Sequence, residues 1–94
     1  MKETMMSVYC VSYDLNTPGQ KYDALYEELK SSSSWSHYLD STWLIYTNES
    51  SIQLSDRLRA HLDDNDRLMV IRVTSDYSGW LPEGAWEWMR GHIR

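Results

Sequence analysis

The sequence has no phenylalanine, one cysteine, four glycines and two prolines. Each shortage excludes something. A single thiol, Cys10, cannot close an intrachain disulfide, and its place in an apolar stretch marks it as an inert core side chain rather than a nucleophile. With glycine so scarce there is no G-x-G-x-x-G, Walker or G-x-S-x-G element, which removes the common nucleotide-binding and hydrolase signatures. His37, His61 and His92 fall in no H-x-x-H or H-E-x-x-H spacing and there is no cysteine pair, so no zinc site is expected. No stretch approaches the roughly 20 apolar residues that cross a bilayer. The N-terminal residues 1–6 also lack the apolar core of a leader, so a cytosolic protein with no membrane partner is expected.

Basic side chains are in short supply too. Nine Lys and Arg stand against fourteen Asp and Glu, a formal net charge of −5, which opposes nonspecific attraction to a phosphate backbone. What the chain does have is aromatic surface, in five tryptophans and seven tyrosines. In a chain of 94 residues, long enough for one core, such side chains favour burial against a second copy, so a single domain over 1–94 and a homodimer are expected.

The stretch Ser7-Val8-Tyr9-Cys10-Val11-Ser12-Tyr13-Asp14 reads as a buried strand that ends on a carboxylate, because Asn16-Thr17-Pro18-Gly19 is a break. Thr17 and Gln20 have capping-box spacing with Pro18 at the first helical position, which predicts a helix from Pro18. Tyr22, Leu25, Tyr26 and Leu29 form its inner stripe. The serine run 31–34 ends it. Strands over 35–39 and 42–47 follow, and Ser50 with Gln53 opens a second helix to about Leu62, with Leu54, Leu58, His61 and Leu62 inward. An acidic turn, 63–66, precedes a strand over 67–74. Counted from Asp63, the sixth and twelfth positions are Leu68 and Thr74, so the turn is not an EF-hand and reads as a solvated loop.

The order is βαββαβ, which points to an α+β, ferredoxin-like core over 7–74. That core is a four-stranded antiparallel sheet with two helices on one face, the first and third strands central. Residues 75–94 form a Trp-rich C-terminal extension in which Pro82 can open and Gly91 can close a last short helix. Ala85, Trp88, Met89 and His92 share its inner side, and the extension is expected to act as a lid.

Asp14 is the candidate site. A carboxylate at a strand exit can contribute to Mg²⁺ binding, since Mg²⁺ keeps waters and completes its shell with substrate phosphates, and a two-fold dimer could supply a second copy. An Asx turn that caps the following loop is the alternative.

Val11-Ser12-Tyr13-Asp14-Leu15 resembles the strand-end tyrosine–aspartate motif of the CRISPR-associated Cas-two family, and Leu39-Asp40-Ser41-Thr42-Trp43-Leu44-Ile45 resembles its third-strand motif. Across the chain the similarity is to a compact, SinR-like offshoot with Y-C-V-S-Y-D-L-N, D-S-T-W-L, D-R-L and G-W-L, matched at 9–16, 40–44, 66–68 and 79–81. The resemblance implies a ferredoxin-like homodimer in which the aspartate matching Asp14 takes part in divalent-metal-dependent cleavage of RNA or DNA. The loop after Asp14 departs from the CRISPR relatives in offering only Lys21 as a basic residue.

Two functions follow as expectations. In one, the chain is a Mg²⁺-dependent endoribonuclease with Asp14 as catalytic and metal-holding residue and Lys21 or Arg72 contacting phosphate. In the other it is a non-catalytic interaction module, an antitoxin-like or accessory subunit, in which Trp43, Trp80, Trp86 and Trp88 bury an interface with a second copy or a protein partner.

Overall fold

A computed structural model describes residues 5–94; the first four residues of the N-terminus expected to lack a leader lie outside it. The first strand, β1 (Ser7–Asp14), holds the architecture together. Its Tyr9, Val11 and Tyr13 point to one face and are buried, while Val8, Cys10, Ser12 and Asp14 point to the other. A strand with apolar side chains on both sides belongs inside a sheet. β1 pairs antiparallel with β3 (Thr42–Thr47) on one side and β4 (Arg67–Arg72) on the other, and β2 (Ser34–Leu39) adds outside β3. The sheet order is β2-β3-β1-β4.

Helices α1 (Asp23–Lys30) and α2 (Ser51–Arg59) lie on the Tyr9–Val11–Tyr13 face. Each gives that face two leucines at i, i+4 spacing, Leu25 with Leu29 and Leu54 with Leu58, all fully buried against Val11, Trp43 and Ile45. Arg57 fixes the helices to each other. Its guanidinium donates two bonds to the Glu49 carboxylate at 3.0 and 2.8 Å, and its Nη1 donates to the carboxylate and backbone carbonyl of Glu28 at 3.0 and 2.9 Å. His61 Nε2 lies 3.0 Å from the second Glu28 oxygen, so this histidine has a structural place.

The capping box of α2 is realised in full: the Ser50 hydroxyl accepts from the Gln53 N–H, and the Gln53 side chain accepts from the Ser50 N–H. The helix ends at Arg59, three residues short of the expected Leu62, and the chain leaves it through tight turn bonds from His61 and Leu62.

The expected start of α1 at Pro18 is corrected. Gly19 has φ +77°, which breaks the helical path, and residues 17–20 close a turn through Gln20 N–H to the Thr17 carbonyl. The Thr17 hydroxyl is used elsewhere, so no side chain caps the helix and it begins at Asp23.

The last helix expected in the extension is present among the described residues, and only its bounds are corrected, since Pro82 lies outside it as the cap and Gly91 does not close it. α3 (Glu83–His92) takes Pro82 as its N-cap and runs through Gly91 to His92. It packs over the β2–β3 half of the second face. Ala85 and Met89 are buried, the Trp88 indole N–H donates to Ser34 Oγ at 3.0 Å, and His92 meets Tyr46 edge-on at 4.9 Å. The β4 half is left open, with Met69 and Ile71 each about half exposed. Among the described residues no helix is long and apolar enough to cross a membrane.

Candidate functional site

Asp14 closes β1 as its last residue, exposed, on the face opposite α1 and α2. Among the described residues its carboxylate accepts no hydrogen bond, so the Asx-turn alternative is not what holds the loop. It stands directly across from Arg67, the first residue of β4, in a shallow depression of about 230 Å³ that Ser12, Leu68 and Met69 also line. Arg67 does not pair with it. The guanidinium donates instead to the backbone carbonyls of Asp64 and Asp66 at 2.9 and 3.0 Å.

The expected phosphate contacts do not gather here. Arg72 is the register partner of Tyr9, five residue steps along β4 from Arg67, which is about 17 Å at the ordinary strand rise. It therefore sits at the far end of the strand from Asp14. Strand alternation also puts it on the helix side of the sheet with Tyr9. Lys21 is exposed in the loop that follows Asp14 and makes no ion pair among the described residues.

A divalent cation does not fit what the described residues of one chain supply. Asp14 is the sole carboxylate in its depression, its nearest cross-strand neighbour is a cation, and no group of three or more His, Cys, Asp or Glu side chains converges among the described residues. Metal binding at this position requires donors beyond the described residues of one chain.

The residue that organises the loop is Asp66, read from the sequence as part of a solvated turn and in fact 7 % exposed. Its Oδ1 accepts from the Asn16 N–H at 2.8 Å, the Tyr22 hydroxyl at 2.7 Å and the Thr17 hydroxyl at 3.4 Å. Its Oδ2 accepts from the Asp63 N–H at 2.9 Å. Burial alone would push this carboxyl up, but the donors from Asp63, Tyr22, Asn16 and Thr17 outweigh it and hold it below the usual carboxylate range. The one local signal was the D-x-x-D spacing of Asp63 and Asp66, which suits a side chain that accepts the N–H three residues back. Its other partners are distant in sequence and left no trace there.

The four tryptophans expected at an interface separate into three situations. Trp43 is a core residue, 2 % exposed, with its indole N–H donating to the Tyr13 hydroxyl at 2.9 Å and His37 stacked on it at 3.9 Å, so its ring has no surface to offer a partner. Trp86 and Trp88 hold α3 in place, Trp86 by stacking on Tyr77 and donating to the Leu81 carbonyl, Trp88 through Ser34. Trp80 is 99 % exposed.

No family model and no curated protein matches the chain. A crystal structure of a hypothetical protein, TT1823 from Thermus thermophilus, is similar to it with a TM-score of 0.63 and 26 % identity, over 83 % of this chain and 96 % of that one.

Proposed function

We propose that the chain is a ferredoxin-like, Cas-two-like protein of the SinR-like kind that acts in the cytoplasm as a homodimeric, non-catalytic interaction module. The two copies meet across the half of the second sheet face that α3 leaves open. The observation that carries this reading is the strip of Met69 and Ile71 on β4, half exposed beside Cys10 and Ser12 of β1 and ending on Asp14 and Arg67. An exposed apolar strip on a small domain marks a contact surface. This one carries both signs of charge at one end, so it can be complementary to itself under a two-fold axis, Asp14 of one copy facing Arg67 of the other. Trp80 is left to engage a further protein partner. The sheet order with β1 and β3 inside supports the ferredoxin-like assignment. Sedimentation at micromolar concentration tests the reading: a mass of two chains is expected, and a mass of one overturns it.

The Mg²⁺-dependent endoribonuclease is the second reading, favoured by one observation, the exposed Asp14 carboxylate with no hydrogen-bond donor among the described residues. It draws on the same dimer, because a second chain would bring another carboxylate near. Labelled RNA incubated with Mg²⁺ or Mn²⁺ separates the two. Equal degradation by the wild type and Asp14→Ala supports the non-catalytic module, and cleavage lost in the variant overturns it.

A further inference from the structure

β4 is an outer strand, bonded to β1 along one side only. The Val73 N–H donates to the Val8 carbonyl at 2.8 Å, and antiparallel pairing alternates bonded with unbonded positions. Met69 and Ile71 therefore turn their backbone groups toward β1, while Leu68, Val70 and Arg72 turn theirs outward. Among the described residues no other segment takes up those outward groups. They form a free border to which a further strand can bond.

Beside this border, on the helix side of the sheet, lies a depression of about 340 Å³. Val70 lines it from the strand, and Ser51, Ile52, Ser55 and Asp56 line it from α2. Ile52 is 71 % exposed, a large apolar side chain that the single chain leaves uncovered. Thr47 pairs with Ser7 and Arg72 with Tyr9, so α2 starts near the Arg72 end of the border and runs toward the Leu68 end. Arg72 at one end and Asp56 farther along have opposite charges, and neither makes an ion pair among the described residues. An open strand border beside an apolar recess is the arrangement that receives an extended peptide: main-chain bonds hold it, and the recess selects alternate side chains.

We propose that the α2–β4 border binds an extended segment of a partner protein, antiparallel to β4, with an acidic residue facing Arg72, an apolar residue over Val70 and Ile52, and a basic residue facing Asp56. A second copy's β4 fits less well, because pairing centred on Val70 brings the Asp56 side chains of both copies to one seam. The proposal rests on the reading of the chain as an interaction module and not on the dimer, whose strip of Met69 and Ile71 lies on the other face of the sheet.

Anisotropy of fluorescently labelled acetyl-TETVTKT-amide added to the full chain tests it. Saturable binding is expected, with the N–H signals of Leu68, Val70 and Arg72 shifting in nitrogen–proton spectra. The same peptide N-methylated at its valine loses a main-chain donor and should not bind. Asp56→Lys, at an exposed position, should weaken binding about fivefold, and a peptide with glutamate in place of its lysine should restore it. Absence of saturable binding, equal binding of the N-methylated peptide, or an unchanged affinity in Asp56→Lys overturns the proposal. Sedimentation of the same samples keeps the dimer separate: a one-chain mass without peptide overturns the dimer alone, whereas a two-chain mass that the peptide halves puts a second copy at β4 and overturns this proposal. The RNA assay decides the module reading independently.

Discussion

The Tyr22 hydroxyl donates to Asp66 at 2.7 Å, joining the residue before α1 to the turn before β4 across 44 positions of sequence. With the Asn16 and Thr17 donors on the same oxygen, it makes the loop after Asp14 part of the fold rather than a free tether.

That relationship predicts a pH dependence with a definite sign. A carboxyl held below its unfolded value contributes stability that is fully present above the unfolded pKa and is lost as pH falls through the folded one. Asp66 behaves this way, as do Glu28 and Glu49, which are lowered mainly by hydrogen bonds from His61 and Arg57 respectively. Thermal melts should show Tm falling on acidification below the ordinary carboxylate range. In Asp66→Asn the melting temperature at pH 7 should drop and part of the acid slope should disappear. An Asp66→Asn variant with the wild-type acid slope would show that this carboxylate is not among the groups responsible. Tyr22→Phe, which removes one hydrogen bond, should cost about 1 kcal/mol at neutral pH.

Arg57 is the second point of leverage. Its fork satisfies Glu49 with two bonds and Glu28 with two more, and all three side chains are about a quarter exposed. Partial exposure screens the charges, so Arg57→Ala should cost about 2 kcal/mol, at the lower part of the range for charged hydrogen bonds. That corresponds to a fall of roughly 10 °C in a domain of this size. Arg57→Lys keeps the charge without the planar fork and should recover less than half of the loss in urea unfolding.

Met69→Asp combined with Ile71→Asp places like charges on the open strip and should convert a two-chain sedimentation mass to one, leaving the far-ultraviolet spectrum unchanged. Both side chains are half exposed in the single chain, so the fold itself has little stake in them. Retention of the two-chain mass would locate any dimer contact elsewhere.

Asp14→Ala should leave stability within about 0.5 kcal/mol of wild type, because the carboxylate it removes bonds nothing among the described residues. Leu58→Ala, by contrast, empties a fully buried position and should cost about 2–5 kcal/mol. A large loss in Asp14→Ala, read from the same denaturation curves, would mean that the side chain has a structural partner after all.

Much of the fold was legible because its signals are local. Residues 7–14 and 42–47 announce themselves as strands by β-branched and aromatic content, and Ser50 with Gln53 marks the start of α2 by a motif only four residues long. The same motif misled at Thr17 and Gln20. There Gly19 adopts a left-handed conformation, and Asp66, about fifty positions away, takes the hydroxyl that would have capped the helix. The candidate site shows the same division. Asp14 was found as a strand-end carboxylate, but the placing of Arg72 at the opposite end of β4 depends on strand register, which periodicity alone does not supply. Trp43 is expected at an interface and lies in the core, because composition shows that a tryptophan must be covered without showing by what.

The broken register between Ser36 and Leu39 carries a consequence for how the molecules can assemble. β2 and β4 are the two outer strands, and they differ as templates. β4 is in unbroken register with β1 from Arg67 to Arg72, whereas β2 is interrupted partway along its length. An irregular border is a poor platform for another chain's backbone, and a sheet with one usable border accepts one neighbour rather than two. Strand addition at the β2 border is therefore disfavoured, and open-ended, fibre-forming growth, which needs both borders, is opposed by the irregularity in the β2–β3 pairing.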